Sequence, residues 1–140
     1  MSALKCLPAL LAVALVIGCS KPEAKYVGTY TGKLQISQAS KDKLAKLGAQ
    51  ASMVEQQIEK ATFNLNLKDD MTYTVSASGV PASANSSDEG KWAFADNQIT
   101  LTSTKDKSKP QPMTIESDGS LSFMLPGGGD TTVKFTKSSS

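Results

Sequence analysis

In most of the chain after Tyr26, apolar and polar residues alternate with a period of two in a series of short segments. Such alternation is typical of a β-strand that has one face in the core and one face in solvent. Turn-forming residues (Gly, Asp, Asn, Ser and Pro) separate the segments. The pattern therefore predicts eight strands. The apolar positions of these strands are, in chain order, Tyr26, Tyr30, Leu34 and Ile36; Phe63, Leu65 and Leu67; Met71, Tyr73 and Val75; Trp92 and Phe94; Ile99 and Leu101; Met113 and Ile115; Leu121, Phe123 and Leu125; and Val133 and Phe135.

One segment, residues 40–60, departs from this alternation because its apolar residues recur every three or four positions. This is the spacing of one face of an α-helix. Gly48 interrupts the segment and is suited to the position just after a helix C-terminus. We therefore predict two short helices, over residues 40–47 and 53–60. Their apolar residues are Leu44, Leu47, Val54, Ile58 and, just beyond, Ala61.

Ser52 and Glu55 have the spacing of a capping box, which would open the second helix. A single helix that runs through Gly48 is the alternative. The apolar stripe is expected to face the barrel. Two roles for the pair are open: a cap that plugs one end of the barrel, or a movable portal over a ligand cavity.

The succession of strands joined by short turns predicts the fold. Sequential antiparallel strands of this kind form up-and-down barrels, and closure removes exposed sheet edges. The expected fold class is all-β, an eight-stranded antiparallel up-and-down barrel with a short helical insertion between strands 1 and 2. All the aromatic residues after Cys19 lie on the inward register. So many large side chains predict a mostly filled interior, with room for a small cavity near the tyrosine hydroxyls.

The N-terminus has a different character from the rest of the chain. Lys5 precedes an apolar run over residues 7–17, and the composition turns polar directly after Cys19. This order of charge, apolar run and small residues is that of a secretory signal peptide. The run has about 11 residues, whereas a helix needs about 20 to span a bilayer. A transmembrane anchor is therefore the less favoured interpretation.

Val16-Ile17-Gly18-Cys19 resembles the lipobox of bacterial lipoproteins. In that family the cysteine thiol is diacylated and the peptide bond before the cysteine is cut. The resemblance implies cleavage between Gly18 and Cys19, with the lipid on Cys19 anchoring the protein to a membrane. Acyl chains of this kind give stable membrane attachment when two or more are present. In enterobacterial lipoproteins an Asp after the cysteine retains the protein in the inner membrane; here Ser20 follows the cysteine, so the resemblance favours the outer membrane.

This resemblance divides the chain into a signal peptide at residues 1–18, a lipidated tether at residues 19–25 and a barrel domain at residues 26–137. The expected location is the bacterial cell envelope, on the outer membrane and facing the periplasm. The short tether would hold the domain close to the membrane surface.

The composition excludes several classes of function. The formal net charge is +2, so there is no strong field to attract nucleic acid. Every basic residue is Lys, and the chain has no His. Nucleophilic sites that use His and His-ligated metal sites are thus excluded. We expect no enzyme, no catalytic residue, no metal and no cofactor. Cys6 and Cys19 are the only cysteines, so the domain would have neither a thiol nor a disulfide.

Two adjacent pairs of carboxylates, Asp69-Asp70 and Asp88-Glu89, are the only candidates for acid–base chemistry or a calcium site. Both pairs are expected to lie in turns. We therefore interpret them as solvated turn residues.

Tyr26-Val27-Gly28-Thr29-Tyr30 resembles the first-strand signature of the calycins, which are the lipocalins and the fatty-acid-binding proteins. The helical pair after the first strand is similar to the lid of the fatty-acid-binding proteins. Gly90-Lys91-Trp92 resembles the lipocalin Gly-x-Trp motif. The resemblance implies a lipocalin-like barrel, with a binding module for a small hydrophobic molecule as its function. Tyr30, Tyr73 and Trp92 are the candidate ligand-binding residues in the barrel interior.

The alternative function is to bind another protein. The domain would then be an inhibitor, a chaperone or an assembly accessory, with a filled barrel core. No feature of the chain points to a particular protein partner. The presence or absence of an internal cavity separates the two hypotheses.

Overall fold

The computed structural model describes residues 21–80, 87–125 and 130–139. In it, eight antiparallel strands form one closed barrel in which each strand pairs with the next along the chain. This confirms the predicted up-and-down barrel. The lipobox at Val16-Ile17-Gly18-Cys19 lies outside the described residues. The strands are β1 Gly28–Ile36, β2 Thr62–Leu67, β3 Thr72–Ser78, β4 Ser87–Ala95, β5 Gln98–Ser103, β6 Gln111–Ile115, β7 Leu121–Met124 and β8 Thr131–Lys137.

The barrel closes where β1 pairs with β8, with Gly32 opposite Phe135. Because the strands alternate in direction, the connections divide between the two ends of the barrel. We call the end at which β1 begins the N-terminal end; the tight turns at Asp96-Asn97 and between β6 and β7 also lie there. We call the opposite end, where β1 leads into the helices, the helical end.

Two helices connect β1 to β2: α1 at Gln38–Ala45 and α2 at Ala49–Lys60. Two separate helices are therefore confirmed, and the single-helix alternative is wrong. Gly48 lies between them with a φ of 61°, a value that L-residues rarely adopt. α1 begins earlier than predicted because the Ser37 hydroxyl caps it, accepting a hydrogen bond from the Ser40 amide at 3.2 Å.

The predicted capping box is wrong. α2 begins directly after Gly48, so Ser52 lies inside the helix and its hydroxyl donates to the Ala49 carbonyl at 3.1 Å. A helix can begin without a capping side chain where a glycine supplies the turn, and the spacing of Ser52 and Glu55 does not reveal this. No helix in the described part of the chain is long and apolar enough to cross a membrane.

The helices lie on the barrel without entering it. Neither helix has a buried residue, and α2 contacts β1. In the predicted apolar stripe, Leu44, Val54 and Ile58 are half-buried, but Leu47 is 54% exposed. Met53, which is not part of that stripe, is 66% exposed. The helical pair therefore lies against the rim of the barrel and does not plug the end of the barrel.

The predicted tether is shorter in the structure, because Pro22–Tyr26 forms a 3₁₀ turn and β1 begins at Gly28, not at Tyr26. The Tyr26 ring is buried and packs 5.0 Å from the Phe94 ring, between centroids. Lys137 holds the turn in place by donating to the Lys25 carbonyl at 2.9 Å. The segment before β1 thus closes the N-terminal end of the barrel.

Side chains of all eight strands form the core. The eight aromatic residues of the domain belong to it or pack against it, which confirms their inward register. The fully buried members are Tyr30, Leu65, Leu67, Ile99, Met113, Leu121 and Val133.

Candidate functional site

The barrel interior contains a cavity of about 140 Å³. Its lining residues come from every strand except β1, or directly follow a strand, and they lie in the half of the barrel nearer the helical end. The wall is mainly apolar, with a few polar side chains. Apolar lining residues include Phe63, Leu65, Val75, Leu101, Met113 and Phe123, and the polar ones are Ser76, Ser87, Asp88 and Gln111.

The other half of the interior is filled by side chains. There Trp92 donates its indole N–H to the Lys68 carbonyl at 2.9 Å, and Tyr30 donates its hydroxyl to the Tyr26 carbonyl at 2.7 Å. Burial, with a smaller contribution from Tyr26, raises the pKa of Tyr30 to about 12. These hydrogen bonds tie the strands to the segments that close the N-terminal end. The expectation of a mostly filled interior with a small cavity therefore agrees with the structure, but of the Tyr30 and Tyr73 hydroxyls only that of Tyr73 contacts a residue of the cavity lining.

None of the three candidate ligand-binding residues belongs to the cavity lining. Tyr30 and Trp92 are nearly inaccessible to solvent and lie opposite the lining residues Leu65 and Leu101 in the strand pairing. Tyr73 is buried as well, but its hydroxyl reaches a residue that does line the cavity. The structure thus leaves Tyr73 beside the candidate site and places Tyr30 and Trp92 in the packed half of the barrel.

Asp88 is the residue that Tyr73 contacts. The Tyr73 hydroxyl donates to Asp88 Oδ2 at 2.8 Å, and the Ser103 hydroxyl donates to Asp88 Oδ1 at 2.7 Å. The three residues come from the adjacent strands β3, β4 and β5. A carboxylate accepts about four hydrogen bonds in all. Each oxygen of Asp88 is therefore held in position and still has capacity to accept another donor.

The electrostatics of this cluster favour an ionised carboxylate. Burial acts to raise the pKa of Asp88, but the hydrogen bonds from Ser103 and Tyr73 act in the opposite direction. Their combined effect, with the Glu89 backbone amide and the charge of Lys105, leaves the pKa of Asp88 below its usual value. Burial and the same carboxylate raise the pKa of Tyr73 well above its usual range. At neutral pH the cavity therefore has a negative charge on its wall.

The expectation that Asp88 lies in a turn is wrong, because β4 begins at Ser87. The alternation of Gly90, Trp92 and Phe94 already contained the signal. Extended by one step towards the N-terminus, the same period of two places Asp88 on the inward register. Two adjacent acidic residues are also typical of a solvated turn, so the sequence of Asp88-Glu89 by itself favours the other interpretation. For Asp70 the prediction holds: it lies in the β2–β3 turn and accepts from the Thr72 amide at 2.9 Å.

Within the described ranges, no group of three or more acidic or metal-ligating side chains could hold a metal ion. The cavity can bury an apolar group of a ligand, and the Asp88 carboxylate can accept hydrogen bonds from that ligand. Its volume of about 140 Å³ is close to that of an engineered protein cavity of about 150 Å³ that binds benzene. Sites for drug-sized ligands are larger, at about 300–1,000 Å³.

Eight sequential antiparallel strands close around an apolar interior, with a helical pair after the first strand, and form an up-and-down β-barrel. No protein-family model matches the chain, and no curated protein matches it either. Among solved structures, the chain is similar to the crystal structure of the wild-type fluorescent protein UnaG. The identity is 17%, the match covers 84% of this chain and 99% of that one, and the TM-score is 0.42.

Proposed function

We propose that this protein is a non-enzymatic lipoprotein of the bacterial envelope whose barrel binds a small hydrophobic molecule. The observation that carries the binding function is the cavity at the helical end, with its apolar wall and single charged side chain among the described lining residues. Apolar pockets with a few convergent polar groups are the usual form of small-molecule sites.

The size of the cavity limits what it holds. A volume near that of a benzene-binding cavity accommodates one small ring or the end of an alkyl chain. A longer molecule would leave its remainder in the mouth of the barrel. The filled N-terminal half sets the depth of the site, because Trp92 and Tyr30 are fixed by hydrogen bonds to the backbone.

Membrane attachment is supported by the lipobox-like motif at Val16-Ile17-Gly18-Cys19 alone. The proposed location is the outer membrane, with the barrel in the periplasm. The chain enters the barrel at the N-terminal end, opposite the cavity, and from Cys19 to Pro22 it spans roughly 10 Å at full extension. β1 has nine residues, and a tilted strand of that length would separate the two ends by roughly 20 Å. An anchored barrel would thus present its cavity away from the membrane.

Filling the cavity tests the binding function. Ala77 lines the cavity from β3, whereas Ser78 is exposed beside it on the same strand. We expect toluene to raise the melting temperature of the full chain, since a ligand that binds only the folded state stabilises it. Ala77→Phe should abolish this shift, and Ser78→Phe, which adds the same ring outside, should keep it. Absence of a shift in the unmodified chain would contradict the proposal.

A protein-facing role is the second candidate, and the exposure of Leu47 and Met53 on the helical pair favours it. Native mass spectrometry of the purified protein separates the two. A co-purifying small molecule supports the binding module. A clean apo mass, together with no toluene response, supports the protein-facing role.

A further inference from the structure

We propose that the molecule bound in the cavity carries a cationic amine and that the Asp88 carboxylate receives it. This inference rests on the proposed binding function and specifies the chemical class of its ligand. An apolar ring or chain would occupy the cavity, and its ammonium group would lie at Asp88.

The charge of the cavity wall is the first argument. Asp88 is the only ionisable side chain among the described lining residues, and no lysine is among them. The nearby Lys105 is exposed, and its ammonium group donates to the Ser87 carbonyl at 3.0 Å. In the described part of the cavity a negative charge thus faces an apolar space with no cation lining the same space. Asp88 also lines open surface grooves together with Lys105, so it lies where the apolar cavity meets solvent, and a ligand cation there would be attracted to its carboxylate.

The position of the carboxylate is the second argument. Tyr73 and Ser103 each donate to a different oxygen of Asp88 and fix its orientation. Neither hydroxyl brings a positive charge, so the pair positions the carboxylate without neutralising it. A primary ammonium has three donors and no acceptor, which matches the acceptor capacity that remains on the two oxygens. The site therefore complements an amine in hydrogen bonding as well as in charge.

The same arrangement selects against other polar groups. A carboxylic acid of the same size would place a second negative charge beside Asp88, and like charges repel strongly in a partly desolvated site. An alcohol would donate one hydrogen bond to the carboxylate but would bring no positive charge. An ammonium group adds the attraction of its full charge for Asp88 to the hydrogen bonds that it donates. The expected order of affinity is therefore amine, then alcohol, then acid.

Three probes of nearly equal size measure this order: benzylamine, benzyl alcohol and benzoate. Isothermal titration calorimetry of the full chain at neutral pH should give an affinity for benzylamine about 10- to 100-fold higher than that for benzyl alcohol. Benzoate should bind most weakly. Equal affinities for benzylamine and benzyl alcohol would overturn the inference and leave the binding function intact. If no probe binds, and toluene fails as well, the binding function itself is wrong.

Asp88→Asn tests the role of the carboxylate. The amide keeps the size of the side chain and an oxygen for the Tyr73 or Ser103 hydroxyl, but it removes the charge. Benzylamine affinity should fall to that of benzyl alcohol, which should change little. Glu89→Gln is the matched control, because it removes one negative charge from the neighbouring exposed residue of the same strand. An equal loss in both variants would show a general effect of net charge and contradict a specific site. The probe series needs no variant, so it decides the inference even where Asp88→Asn fails to fold.

Discussion

The ring of Phe135 occupies the space beside the Cα of Gly32, where any other residue would have a side chain. A Cβ at position 32 would lie 2.6 Å from Phe135 Cε1 and 2.9 Å from Val133 Cγ1. Phe135 and Val133 are both buried, and Gly32 faces Phe135 directly across the seam between β1 and β8. Closure of the barrel therefore depends on a missing side chain at this position.

Gly32→Ala should destabilise the protein. The added methyl overlaps two buried side chains, and overpacking of a core costs about 1–3 kcal/mol. Urea unfolding measures the loss. Because the overlap is with the ring, the double variant with Phe135→Leu should be more stable than the sum of the two single effects. A Gly32→Ala protein as stable as the parent would show that the seam adjusts freely.

The hydroxyls of Tyr73 and Tyr30 should contribute unequally to stability. Tyr73→Phe removes a hydrogen bond to a carboxylate, whose loss costs about 1.5–3 kcal/mol, whereas Tyr30→Phe removes a bond to the Tyr26 carbonyl, a neutral partner, at about 0.5–1.5 kcal/mol. Both substitutions keep the ring and its packing. Comparison of the two free energies of unfolding checks the difference. Equal losses would mean that the Asp88 carboxylate is adequately solvated without Tyr73.

The barrel could be predicted from the sequence because its signal is repeated in every strand. Each strand has one face in the core and one in solvent, so the burial of Leu65 and Leu67 is visible as alternation with Asn64 and Asn66. Turn residues between successive strands predict short connections. Strands that follow each other along the chain therefore pair with each other in the sheet.

The site was harder to predict, because it depends on where each strand begins and ends. It also depends on which part of the barrel interior is packed with side chains and which part is left as a cavity. The alternation of Gly90, Trp92 and Phe94 is compatible with an inward Asp88, but it does not mark where β4 starts, and that start decides whether Asp88 lies in the strand or in a turn. The location of the cavity depends on which large side chains meet at the same height in the barrel. Tyr30, Tyr73 and Trp92 share the inward register, yet only Tyr73 donates a side-chain hydrogen bond to a residue that lines the cavity. That follows from the stagger of the strands, which sequence patterning does not contain.

Acid should reveal the contribution of Asp88 to stability. Its folded pKa lies below the ordinary value of about 3.9. A carboxyl with a lowered pKa stabilises the folded state above its unfolded pKa, and this contribution is lost as the pH falls through the folded pKa. From about pH 5 downwards the parent protein should therefore lose more stability than Asp88→Asn does. Urea midpoints measured across this range check the difference.

Glu89→Gln is the control for this titration, since it removes an exposed carboxylate from the same strand. Other carboxyl groups also contribute to the loss of stability at low pH. For example, Lys134 and Ser120 hold the pKa of Asp118 well below its usual range. Their contribution is common to all three proteins and cancels in the comparison. If the urea midpoints of the parent and of Asp88→Asn fall in parallel as the pH decreases, the lowered pKa assigned to Asp88 in the folded state is contradicted.

The helical pair should contribute little to the stability of the barrel. Ile58 is half-buried on α2, so Ile58→Ala should cost about 1 kcal/mol. Leu65 is fully buried in β2, and Leu65→Ala should cost about 2–5 kcal/mol. Urea unfolding compares the two. A loss at Ile58 as large as that at Leu65 would show that the helices are an integral part of the core, contrary to a covering role.

Cys19 is expected to decide where the protein resides but not what its cavity binds. If the proposed lipid is attached to Cys19, its removal leaves no attachment point, and Cys19→Ala should move the protein from the membrane fraction to the soluble fraction. Cys6→Ala removes the other cysteine and should leave the protein with the membranes. Immunoblots of fractionated cells check both variants. Retention of Cys19→Ala in the membrane fraction would show that the motif does not anchor the chain.

The released protein then tests whether anchor and cavity are independent. The anchor would join the barrel at the N-terminal end, where Tyr26 packs on Phe94, and the cavity lies at the opposite end. No residue of the segment before β1 belongs to the described cavity lining. Cys19→Ala should therefore keep the toluene-induced rise in melting temperature of the parent protein. A lost response would mean that the lipid or its attachment contributes to the binding site, and that the two ends of the barrel are coupled.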